Sequence, residues 1–137
     1  MEYTRGRRDG QPTRLGDEGT FTGQAMLDVL LEDGETARVR VNSVIFAPGG
    51  RTYWHSHTDG QVLIVSSGRG MVENRDGHRH VLHAGDVVWA PPGEEHWHGA
   101  APDSFVAHTA ISLGPTVWHE EVPGTRYKAA FEDKEED

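Results

Sequence analysis

The chain has 137 residues and a formal net charge of −9, with 35% hydrophobic residues, 17 glycines, 7 prolines and no cysteine. This length suits one domain with one core, and the acidic balance argues against gripping phosphates, so no nucleic-acid partner is expected. Without thiols there are no disulfides, thiolate metal sites or cysteine nucleophiles, and any metal must be held by imidazole and oxygen, which suits manganese, iron, cobalt, nickel or zinc.

Residues 1–20 are polar and glycine-rich, with Arg5, Arg7, Arg8 and Arg14, and read as a flexible N-terminal arm. The apolar run Met26 to Leu31 is short and broken by Asp28, and no run has the length of a membrane span. Neither a signal peptide nor a membrane partner is therefore expected, and the chain reads as cytoplasmic. Residues 21–31 suit a strand and 32–35 a turn. In 36–50 Ala37, Val39 and Val41 alternate with Arg38, Arg40 and Asn42, a period-two pattern ended by Pro48-Gly49-Gly50. Residues 51–57 and 61–68 read as strands flanking a tight turn at Thr58-Asp59-Gly60. A hairpin follows with its turn at Arg75-Asp76-Gly77, then strands on either side of Pro91-Pro92-Gly93, then a strand over 104–112. Beyond Pro123 the pattern fades into an acidic tail, 123–137, that ends with Glu135, Glu136 and Asp137. About nine short strands with glycine and proline between them predict an all-β barrel or sandwich over 21–122. Val62 and Ile64 oppose Leu63 and Val65, so this strand is apolar on both faces. A second copy covering the outside is expected, making a homodimer or higher homo-oligomer.

The chemistry gathers in "GGRTYWHSHTDGQVLIVSSG" (49–68) and "PPGEEHWHG" (91–99). Residues i and i+2 of a strand share a face, so His55 and His57 point the same way. If 61–68 pairs back after the turn, Gln61 joins them. The second segment supplies His96 and His98. Three imidazoles and an amide oxygen would leave positions open on a six-coordinate metal, as a catalytic metal requires. His78, His80 and His83 flank a turn and read as solvent-facing. Arg40 and Asn42 share a face and are pocket residues if that face looks inward. His108, on the apolar strand "FVAHTAI", reads from its surroundings alone as a satisfied core residue.

The spacing Gly49, His55, His57, Gln61, Gly68 resembles the first motif of the cupin superfamily, and Gly85, Pro91, Gly93, His96 resembles the second. The resemblance implies a single cupin domain, a jelly-roll β-barrel with a metal held inside by His55, His57, Gln61 and His96. Cupins more often have glutamate where Gln61 stands and asparagine where Ala100 stands. The amide leaves the site one negative charge poorer, so the metal is a stronger Lewis acid and is bound less tightly. Over residues 21–122 the strings "WHSHTDGQVLIVSSGRG", "GDVVWAPPGEEHWHGAAP" and "AHTAIS" resemble the manganese-dependent cupin hydroxynitrile lyases of bacteria, which share the glutamine. That likeness implies a divalent metal, manganese before iron, zinc, nickel or cobalt, and a small-molecule cyanohydrin substrate. It also implies His108 as general base and a pocket containing Asn42, Val44, His98 and Ser112. Asn42 and Ser112 depart from the lyase pattern, which puts the substrate's identity in question. A related aldol-type reaction is the neighbouring chemistry, and an iron-dependent dioxygenase and a non-catalytic small-molecule-binding cupin are the competing readings.

Overall fold

In the computed structural model, which describes residues 1–8, 10–34 and 38–132, period-two alternation builds two antiparallel sheets. The strands are β1 (Arg14–Leu15), β2 (Phe21–Thr22), β3 (Ala25–Leu31), β4 (Val39–Phe46), β5 (Arg51–Thr52), β6 (His55–His57), β7 (Gln61–Gly68), β8 (Gly70–Asn74), β9 (Arg79–Leu82), β10 (Val87–Ala90), β11 (His96–Ala100), β12 (Val106–Leu113) and β13 (Thr116–Trp118). They outnumber the nine expected because several are only two or three residues long. One sheet has the order β1-β3-β4-β12-β7-β10. The other runs β13-β6-β11-β5-β2, with β8 pairing β11 and β9 pairing β8. These curled, facing sheets form the all-β jelly roll. The β8–β9 hairpin turns where the sequence places it, at residues 75–77. Residue 35 of the expected 32–35 turn and Ala37 of the alternating run lie outside the described residues.

Register on the first sheet sets up the interior. Phe46 faces Val106. His108 stands opposite Val44 and Val65, Ala110 opposite Asn42 and Leu63, and Ser112 opposite Arg40 and Gln61. These positions share the inner face, so the rows pass from apolar at one end to polar at the other. The apolar end, with Val44, Phe46, Leu63, Val65, Val106 and Ala110, joins Ala25, Val72, Leu82 and Ala100 in a buried core. The polar end leaves a cavity. Arg40 and Asn42 therefore do look inward. Between Ala107 and His108 the β12–β7 register shifts, an irregularity of the kind that re-aims the side chain beside it.

The turn at Thr58-Asp59-Gly60 does not make a hairpin. β6 pairs with β11 and β13 in one sheet, and β7 pairs with β10 and β12 in the other. Gln61 reaches the histidines by facing them across the sandwich, not by pairing back beside them. Gly60 has φ +100°, and a Cβ there would run into the Trp89 ring and the Ala90 carbonyl, so the crossing needs a glycine.

Both ends of the chain are more engaged than a reading as loose arm and tail implies. Arg14 and Leu15 pair with Leu27 and Met26, and Thr4 Oγ1 donates to the Leu30 carbonyl at 2.7 Å. After Pro123, residues form the helix α1 (Gly124–Glu132), which buries Tyr127 and Ala130. They join Trp54, Met71, Val81, Trp97 and Val122 in a second core on the outer side of the second sheet. Tyr127 donates to the Ala100 carbonyl at 2.6 Å, and the Arg51 guanidinium lies 4.3 Å from its ring centre. Residues 133–137 lie outside the described residues.

Candidate metal centre and cavity

β6 and β11 are antiparallel neighbours with His96 opposite His55. Spacing of two on each strand then puts four imidazoles on one inner face, while Trp97, between His96 and His98, points back into the second core. Ring centres lie 4.5 Å apart for His55 and His96, 5.0 Å for His55 and His57, and 5.3 Å for His55 and His98. From the opposite sheet β7 contributes Gln61 and β12 contributes Ser112 and His108. All seven side chains are buried.

Hydrogen bonds fix which nitrogens are available. A carbonyl only accepts, so His55 Nδ1–H donates to the Tyr53 carbonyl at 2.9 Å and His96 Nδ1–H donates to the Glu94 carbonyl at 3.1 Å. Each neutral ring therefore keeps a lone pair on Nε2. His57 Nδ1 is 3.1 Å from Thr116 Oγ1, and no described residue makes a well-formed hydrogen bond to its buried Nε2. Gln61 Nε2 donates to Ser112 Oγ at 3.1 Å, which turns Oε1 toward His96 Nε2, 3.0 Å away. Two acceptors then face each other in a buried site. Neutral imidazole nitrogens and an amide oxygen converging in one buried site make a donor set that fits a metal.

Among the described residues, His55, His96 and His98 each offer one ring nitrogen within 4.8 Å of the other two. His55 and His96 belong to the ligand set implied by the sequence. His98, set aside there as a ligand, also reaches the centre, but its Nδ1 is engaged by His108 Nε2 at 3.1 Å. His57 and Gln61 border the same space.

The cavity, about 520 Å³, is of small-molecule size. Asn42, Val44, His98 and Ser112 line it, as do His55, His57 and Gln61. His96 and His108 are not among its lining residues, and each touches one that is, His96 Gln61 and His108 His98. Two contributors escaped the sequence reading. Thr116 contacts the His57 ring, and the tilted Trp118 ring is centred 4.7 Å from that of His55. Both arrive through β13–β6 pairing, for which the sequence carries no local signal.

Burial is the main cause that lowers every one of these histidines. His55 and His98 fall well below the usual value of 6.5, with neighbouring imidazoles adding to the effect, and His96 is also lowered. His57 and His108 fall to about 4. At neutral pH the rings are uncharged and can act as ligands or bases. The unfolded chain binds protons near pH 6.5, whereas the folded metal-free chain resists until about pH 4. Stability from His57 and His108 is thus complete above pH 6.5 and is lost on acidification toward pH 4, by about 3 kcal/mol each. Thermal melts of chelator-treated protein should fall steeply between pH 7 and 4.5; a flat profile would contradict neutral burial of these rings.

A β-sandwich carrying a histidine-rich centre between its sheets defines a metal-binding jelly roll. The cupin-domain family matches residues 42–113, and the chain belongs to that family. It is 42% identical over 126 residues to an (R)-mandelonitrile lyase of Granulicella tundricola, covering 89% of this chain and 96% of the relative. The crystal structure of a cupin-like protein from Thermotoga maritima superposes with a TM-score of 0.84 at 41% identity, over 88% of this chain and 94% of that one. A polyketide cyclase from Streptomyces resistomycificus shares the fold at a TM-score of 0.70 and 17% identity, over 93% and 92% of the two chains.

Proposed function

We propose that the protein is a metal-dependent lyase that cleaves cyanohydrins such as mandelonitrile to an aldehyde and cyanide, with His55, His57, Gln61 and His96 as ligands of a divalent metal, manganese first. The observation that carries the metal site is the convergence of buried imidazoles from β6 and β11 with Gln61 from the opposite sheet, its Oε1 3.0 Å from His96 Nε2. The 42% identity to a mandelonitrile lyase supports the reaction class.

When bound, the metal supplies positive charge that stabilises negative charge developing on the reacting groups. The chain's own residues handle the proton. His98 lines the cavity and touches His108 through the 3.1 Å contact between its Nδ1 and His108 Nε2. With the shared proton on His98 Nδ1, the His98 nitrogen that His108 does not engage takes the hydroxyl proton while Nδ1–H passes its own to His108 Nε2. The hydroxyl oxygen becomes the aldehyde carbonyl as the carbon–carbon bond breaks, and the bonding pair leaves with cyanide. His108 thus serves as base through His98. Asn42, Val44 and Ser112 shape the wall against which the substrate's remainder lies, and Ser112 also holds the Gln61 amide in its acceptor orientation.

The test is cyanide release from mandelonitrile under nitrogen. Manganese-loaded protein is expected to release cyanide, and chelator-treated protein is not. Turnover that needs dioxygen would instead identify an iron-dependent dioxygenase. No turnover with the metal bound would leave a binding cupin.

A further inference from the structure

The polar row on the inner face of the first sheet contains one side chain that proton transfer and metal binding do not use. Arg40 on β4 stands opposite Ser112 on β12, which stands opposite Gln61 on β7. With strands about 4.8 Å apart, the Arg40 backbone lies roughly 10 Å from that of Gln61. Arg40 is half-buried and lines the cavity. Its Nε makes one long contact, 3.5 Å, with Asn42 Oδ1.

Its neighbours are spoken for. Arg14, also lining the cavity, pairs with Glu32 at 3.7 Å, and Arg38 pairs with Asp59 at 3.2 Å. Among the described residues no carboxylate pairs with Arg40, although Asp17 and Asp33 line the same cavity. A guanidinium whose outer nitrogens no described residue engages, held in a cavity wall, is a fork shaped for a carboxylate. The floor adds to this. Three imidazoles and an amide bring no negative charge, so a cation seated there would keep its full charge, and an anionic ligand would balance both.

We propose that Arg40 determines specificity by holding the carboxylate of small oxo or hydroxy acids whose carbonyl or hydroxyl end reaches the histidine floor. This deepens the lyase reading and rests on it only for the reacting end. The preferred substrates are then carboxylate-bearing carbonyl compounds or their adducts, with neutral cyanohydrins as poorer occupants.

Calorimetry with 4-oxobutanoate and its uncharged methyl ester tests this on manganese-loaded and chelator-treated protein. Wild type should bind the acid at least about ten-fold tighter than the ester in both metal states. Arg40→Gln should bring that ratio to about one with the ester's affinity unchanged, and Arg40→Lys should keep part of it. Matching thermal melts establish that both variants fold. A wild-type ratio near one overturns the proposal, as does a ratio that survives in Arg40→Gln. A preference seen only with manganese present also overturns it, because the carboxylate would then sit on the cation. Cyanide release from mandelonitrile is a separate readout. Its absence would remove the lyase reading and leave the acid-to-ester ratio standing, while a wild-type ratio near one with cyanide still released would overturn only the Arg40 proposal.

Discussion

Replacing His96 with alanine is expected to empty the centre of metal and to reduce cyanide release to background. His96 offers Nε2 at the point where Gln61 Oε1 converges, and its Nδ1–H is tied to the Glu94 carbonyl. No nearby side chain can take over that position without turning a ring already fixed by its own hydrogen bond. Metal analysis after gel filtration should show stoichiometric manganese in wild type and little in His96→Ala; full retention would remove His96 from the ligand set. The same measurement decides between the two candidate third histidines. His57 has a buried Nε2 to which no described residue makes a well-formed hydrogen bond, whereas His98 is occupied by His108. His57→Gln should therefore lose metal and His98→Gln should keep it. The reverse outcome would mean that the His55, His96 and His98 group is the true cage.

The pairing of His55 with His57 and of His96 with His98 was legible in the sequence because strand periodicity puts residues two apart on one face, while the candidate ligand set came from the resemblance. Their grouping was less legible. Gln61 arrives from the opposite sheet because the chain crosses the sandwich at Gly60, whereas a local reading of a tight turn suggests a hairpin. Thr116 and Trp118 reach His57 and His55 through β13, a strand of three residues whose partner lies about sixty positions earlier. Helix α1 was hidden for another reason. Its buried face is only Tyr127 and Ala130, with Phe131 packed alongside, and charged residues at Arg126, Lys128 and Glu132 dilute the period. The orientation of β4 was left open by the alternation alone, since Val39 and Val41 favour one face and Val44 and Phe46 the other. Burial of Val44 and Phe46 settles which face is inside, and carries Arg40 and Asn42 in with them.

The second large effect concerns proton transfer. His108→Asn is expected to lower kcat/KM for mandelonitrile by about 100- to 10,000-fold, the usual contribution of a positioned base, while manganese content stays at wild-type level. The separation follows from position. His108 is buried and touches the metal centre only through the His98 ring. Losing it removes the proton's destination without removing a ligand. If the two rings act as a unit, His98→Asn should cost a similar factor, and the double replacement should cost no more than the larger single one. Multiplying losses would mean two independent roles, with His98 contributing to substrate binding instead of relay. A His108→Asn protein that keeps both its metal and its wild-type rate would return this residue to a plain core role, which its apolar neighbours Phe46, Val44 and Val65 would equally support.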